Sequence, residues 1–235
     1  MPIKTILFDL DGTLLPMDQD IFIKKYFGLL AQKLAPFGYD PEKLIQAVWA
    51  GTKAMVMNDG TVTNKEAFWS TCDATLGCPA SKDADIHMEF YRNEFNQVQE
   101  VCGFEPMAEQ IVRSLKDRGY RVVLATNPLF PAIATQNRIR WAGLQPEDFE
   151  YITTYENSHY CKPNTDYYRE ILEQLHLRPE ESLMVGNDVG EDMIIQQLGM
   201  KVFLLTDCLI NKQNADISQY PNGGFPELAD FLNTL

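Results

Sequence analysis

Residues 3–15 read Ile-Lys-Thr-Ile-Leu-Phe-Asp-Leu-Asp-Gly-Thr-Leu-Leu, an apolar run that climbs straight into two aspartates one residue apart. Ile6, Leu7 and Phe8 have the unbroken hydrophobicity of a strand covered on both faces, as in a parallel sheet. That strand stops on carboxylates, and in open α/β sheets ligands bind beyond the carboxyl ends of the strands. In an extended chain Asp9 and Asp11 point the same way, and the Gly12-Thr13 turn can bring Asp11 back to the same spot. Two carboxylates so close repel unless a proton or a cation sits between them. A hard divalent cation with oxygen ligands, such as Mg²⁺, suits the pair. An isolated Asp-x-Asp often only caps a turn, but here a strand precedes it and Gly-Thr follows.

The rest of the chain divides into two patterns. From about Asp18 to Phe95 the apolar spacing is helical throughout. One helix, capped by Asp20, carries Ile21, Tyr26, Phe27, Leu30 and Leu34. A second starts at Pro41-Glu42, and a third opens at Asn64 and stops near Gly77. A fourth runs through Ile86, Phe90, Tyr91 and Phe95. From Pro106 onward helix and strand alternate. Helices are expected over 106–118, 130–141, 165–175, 190–198 and 225–232, and strands over 121–125, 151–154, 182–185 and 201–205. The stretch from Asn211 to Gly224 reads as loose. Such alternation predicts a Rossmann-like parallel sheet with helices on both faces. The expected division is a core of residues 1–15 and 103–235 and an all-helical cap of residues 16–102.

If the sheet is parallel, the ends of the later strands should gather beside Asp9. Val122 to Ala125 ends in Thr126-Asn127, a hydroxyl and an N–H that fit a phosphate oxygen as well as they fit a helix cap. Lys162 precedes Pro163, which holds it extended; a constrained lysine in an acidic chain is a candidate charge-neutraliser, though a solvated surface lysine has the same pattern. Leu183 to Val185 runs into Gly186-Asn187-Asp188-Val189-Gly190-Glu191-Asp192, a turn crowded with acids and amides.

Asp9-Leu10-Asp11-Gly12-Thr13, Thr126, Lys162-Pro163 and the acidic turn at 187–192 together resemble, in order, the four motifs of the haloacid dehalogenase-like hydrolases. The resemblance implies a Mg²⁺-dependent phosphatase acting on a small phosphorylated metabolite. Asp9 would be the nucleophile, and Asp11 the general acid and base, also a metal ligand through its carbonyl. Thr126, Asn127 and Lys162 would hold the phosphate. The common fourth motif has Asp directly after Gly, whereas here Asn187 holds that place. Asp188 is therefore expected to ligate the metal, with Asn187 giving its amide oxygen or standing behind it, and Asp192 to pair with Lys162 or orient a metal-bound water. Dehalogenases of this superfamily lack an acid at the position of Asp11. A phosphomutase is the nearest enzymatic alternative, and a non-catalytic binding module would be expected to have lost Asp9, Asp11 or Lys162.

A net charge of −13 argues against nucleic acid and anionic membrane as partners. No apolar stretch approaches the roughly 18 residues of a membrane span, and the N-terminus shows no signal-peptide pattern. Five scattered cysteines, Cys72, Cys78, Cys102, Cys161 and Cys208, form no disulfide framework or metal spacing, which fits a cytoplasmic setting. Lys24, Lys25 and Lys53 are candidate contacts for an acidic substrate, although solvated lysines look the same in sequence.

Overall fold

The computed structural model describes all residues, 1–235. Its frame is a six-stranded, all-parallel sheet in the order β3-β2-β1-β4-β5-β6. β1 (Thr5–Phe8) lies at the centre with all four residues buried, flanked by β2 (Arg121–Leu124) and β4 (Ser182–Gly186). Chain direction across the sheet reverses at β1, so a crevice opens at its carboxyl end. Before β2, the chain passes through α1 (Gln19–Leu34), α2 (Pro41–Val56), α3 (Asn64–Leu76), α4 (Ala84–Arg92) and α5 (Pro106–Asp117). After it come α6 (Ala132–Trp141), β3 (Tyr151–Ile152), α7 (Thr165–Gln174), β4, β5 (Lys201–Leu205), β6 (Asn222–Gly223) and α8 (Phe225–Asn233).

Both faces of the sheet are covered, as the apolar runs require. Ile6, Phe8, Val122, Leu124, Leu183 and Val185 join the larger core, while Leu7, Val123 and Met184 pack with Tyr167, Tyr168 and Ile171 on the other side. No strand interrupts the chain between α1 and α4. The two crossings into and out of this helical insertion run side by side: Met17 bridges Cys102, and the Gly103 N–H donates to the Pro16 carbonyl at 2.7 Å. At the opposite edge, α3 docks on the loop after β3, with the Asn64 and Lys65 amides donating to the Ser158 and Tyr155 carbonyls. No helix is long and apolar enough to cross a membrane, and all five cysteines are free.

Several elements depart from the expectation in ways that have local causes. Asp18, not Asp20, caps α1 by accepting from the Ile21 N–H; the helix starts at polar Gln19, ahead of the first apolar residue that signals it. α4 ends at Arg92, and Phe95 lies in a separate 3-10 segment over Glu94–Val101. α6 begins at Ala132 because Pro131 holds Phe130 extended. β3 is only two residues long, since the Thr154 N–H turns to the Asn157 side chain instead of a neighbouring strand. No α-helix runs over 190–198: Asp188 Oδ1 takes the N–H groups of Gly190 and Glu191, and only Met193–Leu198 winds, as a 3-10 helix. The stretch read as loose contains β6, which pairs with Leu204 and Leu205.

Candidate active site

The ends of β1, β2 and β4 and the loop after β3 converge on one cavity of about 150 Å³, lined by Asp9, Asp11, Thr126, Asn127, Asn187, Asp188, Glu191 and Asp192 on the sheet side. Met17, Gln19, Phe22 and Ile23, at the entrance to the insertion and on α1, close its other wall.

Asp9 follows the last residue of β1 and is 7 % exposed. Its Oδ1 accepts from Lys162 Nζ at 2.9 Å, and its Oδ2 lies 3.2 Å from the Thr13 hydroxyl. The carboxylate is therefore fixed from two sides. Gly12, at φ +84°, makes the turn that returns Thr13 to Asp9; a Cβ there would also strike the Asn187 amide.

Lys162 is 1 % exposed and precedes a cis proline. Besides Asp9, it donates to Asp192 Oδ1 at 2.6 Å. Burial alone would weaken its hold on the proton, but the Asp192 and Asp9 carboxylates outweigh that and keep the ammonium charged well above the usual lysine range. Asp192 is buried, which pushes its carboxyl upward while the Lys162 ammonium pulls it down. Its Oδ2 accepts from the Asp188 N–H at 3.0 Å. Gly186 lets this carboxylate pack onto the end of β4, where a Cβ would lie 2.2 Å from Asp192 Oδ2.

Asp11 is held differently. Its Oδ2 pairs with the guanidinium of Arg138, while Oδ1 is buried with no hydrogen-bond partner. Burial raises its pKa, the Arg138 charge opposes this, and the Asp9 carboxylate adds to the rise. Arg138 is fully buried on α6, lies over the Phe130 ring at 4.5 Å, and also donates to the Ala134 carbonyl and Thr135 hydroxyl.

The remaining expected residues divide into free and engaged groups. The Thr126 backbone is anchored, its carbonyl accepting from Thr153 and Tyr167 hydroxyls at 2.6 and 2.9 Å. The residue itself lines the cavity. Asn127 spans the site, its Oδ1 accepting from the Lys162 N–H and its Nδ2 donating to Glu191 Oε2 at 3.0 Å. Asn187 is engaged at both amide atoms: Nδ2 donates to the Cys208 carbonyl, and Oδ1 lies 3.1 Å from the Thr13 hydroxyl. Asp188 caps its own turn through Oδ1 and lines the cavity. Asp9, Asp11, Thr126, Asn127, Asn187, Asp188 and Asp192 thus line one cavity, with Lys162 against Asp9.

Three participants were not singled out by the motifs. Thr13 braces Asp9, and Glu191 lines the cavity with its carboxyl pushed up by burial. Arg138 had a legible signal: it falls four residues after Ala134 and four before Ala142, on the buried stripe of α6. His159 pairs with Glu170 at 2.5 Å and does not line the cavity. Cys161 is a buried filler that accepts from the Asn64 amide.

Lysines 24, 25 and 53 do not enter the cavity. Lys24 and Lys53 are exposed, and Lys25 pairs with Glu100.

Comparison with known proteins places this arrangement. The "Pyrophosphatase PpaX" of Bacillus cereus (strain G9842) is 26 % identical over 240 residues, covering 100 % of this chain and 97 % of that protein. In structure, the chain resembles a 2-haloacid dehalogenase from Pseudomonas syringae pv. Tomato DC3000, with a TM-score of 0.63, 16 % identity and 99 % of both chains covered. It also resembles the magnesium-bound HAD-hydrolase YfnB from Bacillus subtilis, with a TM-score of 0.57, 18 % identity, and coverage of 99 % of this chain and 100 % of that one. The family model described as haloacid dehalogenase-like hydrolase matches residues 3–199. That span takes in β1, the helical insertion and the strand ends that build the cavity, and the chain accordingly belongs to the haloacid dehalogenase-like hydrolases.

Proposed function

We propose that this chain is a Mg²⁺-dependent phosphatase that hydrolyses a small phosphorylated metabolite through an aspartyl-phosphate on Asp9. The observation that carries the reading is the setting of Asp9: a carboxylate fixed between Lys162 and Thr13 at the mouth of a cavity, beside a second carboxylate with one free oxygen. In this reading residues 16–102 form the cap and the sheet with its flanking helices forms the core.

The donor set fits a hard cation. Five carboxylates line the cavity (Asp9, Asp11, Asp188, Glu191 and Asp192), and the only cations touching them are Lys162 and Arg138. A phosphate dianion would meet net repulsion there. The buried Asp11 Oδ1 has no partner and is left to carry a proton, so Asp11 would meet the metal through its carbonyl. Mg²⁺ keeps several waters and takes few protein ligands, so side chains need not enclose it. Asp9, Asp11 and Asp188 would hold it, with Asn187 offering its amide oxygen or bracing the turn behind. Bound there, Mg²⁺ supplies a fixed positive charge that offsets repulsion between the nucleophile and the phosphate oxygens.

The chain's own groups then divide the chemistry. Thr126, Asn127 and Lys162 hold the phosphoryl oxygens, where charge concentrates during transfer. Asp9 attacks phosphorus, the bond to the leaving oxygen breaks, and Asp11 gives that oxygen its proton. Water then attacks the aspartyl-phosphate, Asp11 takes its proton, and the bond to Asp9 breaks. Because Arg138 occupies Oδ2, the proton travels through Asp11 Oδ1. Asp192 fixes Lys162. The presence of Asp11 favours phosphate esters over carbon–halogen bonds.

The test is release of phosphate from a generic aryl phosphate with Mg²⁺, and its arrest by a chelator. Asp9→Asn should abolish turnover with an unchanged circular dichroism spectrum; undiminished activity in that variant would overturn the mechanism.

A further inference from the structure

Ile23, Leu129 and Phe130 belong to two cavities at once. On one side lies the site of Asp9. On the other is a separate space of about 110 Å³, enclosed by the helical insertion and the loops after β2 and β3. The two are neighbours with opposite chemistry. The second is lined by sixteen residues, none of them charged, including the rings of Tyr26, Phe27, Trp49, Phe68 and Trp69. Its volume is in the range of a dry apolar cavity that takes one benzene ring, about 150 Å³.

The Thr52 hydroxyl bonds to the Val48 carbonyl and the Tyr26 and Tyr91 hydroxyls to each other, but one polar group in the wall has no partner. His87, on α4, is 6 % exposed, and its Nε2 is buried with no hydrogen-bond partner. A buried polar atom left unpaired costs free energy that a ligand atom would recover. Burial pulls the His87 pKa down to about 4, so near neutrality the ring is uncharged and pairs with a hydroxyl, a carbonyl or a ring nitrogen.

A second phosphoryl group would find nothing to hold it here. No lysine or arginine lines either cavity; Lys162, which contacts Asp9, serves the first phosphoryl group, and Arg138 is paired with Asp11.

We infer that this cavity is the leaving-group pocket, and that it takes an uncharged aromatic or similarly ring-sized apolar alcohol, with a second polar atom, remote from the esterified oxygen, that meets His87 Nε2. The inference rests on the phosphatase reading and narrows it to a phosphate monoester with such a leaving group, as against pyrophosphate.

Two measurements on the full chain separate the pocket from the chemistry. In the first, benzyl alcohol is titrated while tryptophan fluorescence is followed, since Trp49 and Trp69 both line the cavity. A saturable change is expected, and it should be lost in Val48→Phe and in Thr52→Phe, which place a ring where the ligand's would lie. No saturable change in the unaltered protein, or the same change in folded forms of both variants, overturns the pocket. In the second, kcat/KM is compared for benzyl phosphate, glycerol 3-phosphate and pyrophosphate. Benzyl phosphate should lead by about ten- to a hundredfold, the effect of burying one ring-sized apolar group, and Thr52→Phe should shrink that lead; 4-(hydroxymethyl)benzyl phosphate should do better still, and that further gain should be lost in His87→Ala. Pyrophosphate hydrolysed as well as benzyl phosphate overturns the pocket but leaves the phosphatase reading standing. Saturable benzyl alcohol binding with no phosphate released from any of the three overturns the phosphatase reading and confines the inference to a binding site.

Discussion

The two adjoining cavities are built on opposite principles. Around Asp9, nine of the fourteen wall residues are polar or charged, and named partners hold the groups that matter: Lys162, behind Asp9, by two carboxylates, Asp11 by Arg138, Asn127 by Glu191. Around His87, thirteen of the sixteen wall residues are hydrophobic, and of the polar atoms there His87 Nε2 has no partner. Reaction chemistry needs charges fixed in advance, because reorganising them at the moment of reaction is costly. Selection of a leaving group needs only shape and desolvation. On the proposed function the two tasks fall to different parts of the chain, the sheet's strand ends and the helical insertion with its neighbouring loops, whose cavities share Ile23, Leu129 and Phe130.

The widest gap between the two regions should appear in Asp9→Asn. It should lower kcat by about 10⁴-fold or more for every substrate, without changing their relative order in KM. Steady-state kinetics on a substrate panel checks this; a change confined to one substrate would erase the proposed division.

Arg138→Leu comes next. It leaves the Asp11 carboxylate without its partner, and breaking such a pair should cost about 3 kcal/mol, read from urea unfolding. Adding Asp11→Asn should recover part of the loss, because the charge left unpaired is removed too. A double variant as unstable as the sum of the two single ones would mean that the pair is not coupled.

His87 sharpens the contrast from the apolar side. Its pKa is pulled from 6.5 to about 4 in the folded chain, so folding favours the neutral ring. The stability this contributes is fully present above about pH 6.5 and declines as the pH falls toward 4. The expected loss is on the order of 3 kcal/mol across that window. Unfolding of His87→Gln compared with the unaltered protein at each pH isolates the effect, and the difference should flatten below pH 4. A pH-independent difference would place His87 in a wetter setting.

The smallest effect is expected at the edge where insertion and sheet meet. Asn64 donates to the Tyr160 carbonyl and Cys161 Sγ, just ahead of Lys162. Asn64→Ala should cost about 1–2 kcal/mol, with a modest rise in KM. A variant with full stability would show that this contact does not seat α3.

The polar cavity was legible in the sequence for a physical reason. In a parallel sheet, strand ends fall at one edge, so residues far apart in the chain converge once the strands are recognised, as Asp9, Thr126 and Asp188 do. Lys162 could be placed because proline restricts it. What escaped the reading lies inside helices or is decided by tertiary contact. Arg138 reaches Asp11 from the last turn of α6, where a basic residue ordinarily interacts with the helix end. His87 has no motif at all; only the packing of α4 against Tyr39 and Trp69 buries its ring. The turn after β4 looked like a helix start because acids cap helices, and there Asp188 and Asp192 use that same capacity to brace one another and Lys162. Asn127 and Glu191 illustrate the middle case, with one member visible as a strand end and its partner visible only after folding.

The side-by-side crossing at Pro16 and Gly103 has one more consequence. A segment of chain that leaves and re-enters a fold at a single point imposes no spacing on the strands it interrupts. β1 and β2 keep their register, Thr5 opposite Arg121 and Phe8 opposite Leu124, whatever lies between. Lengthening, shortening or exchanging the inserted helices therefore perturbs only the walls they supply, and on the proposed function the leaving-group pocket is free to diverge while the strand-end site stays constant.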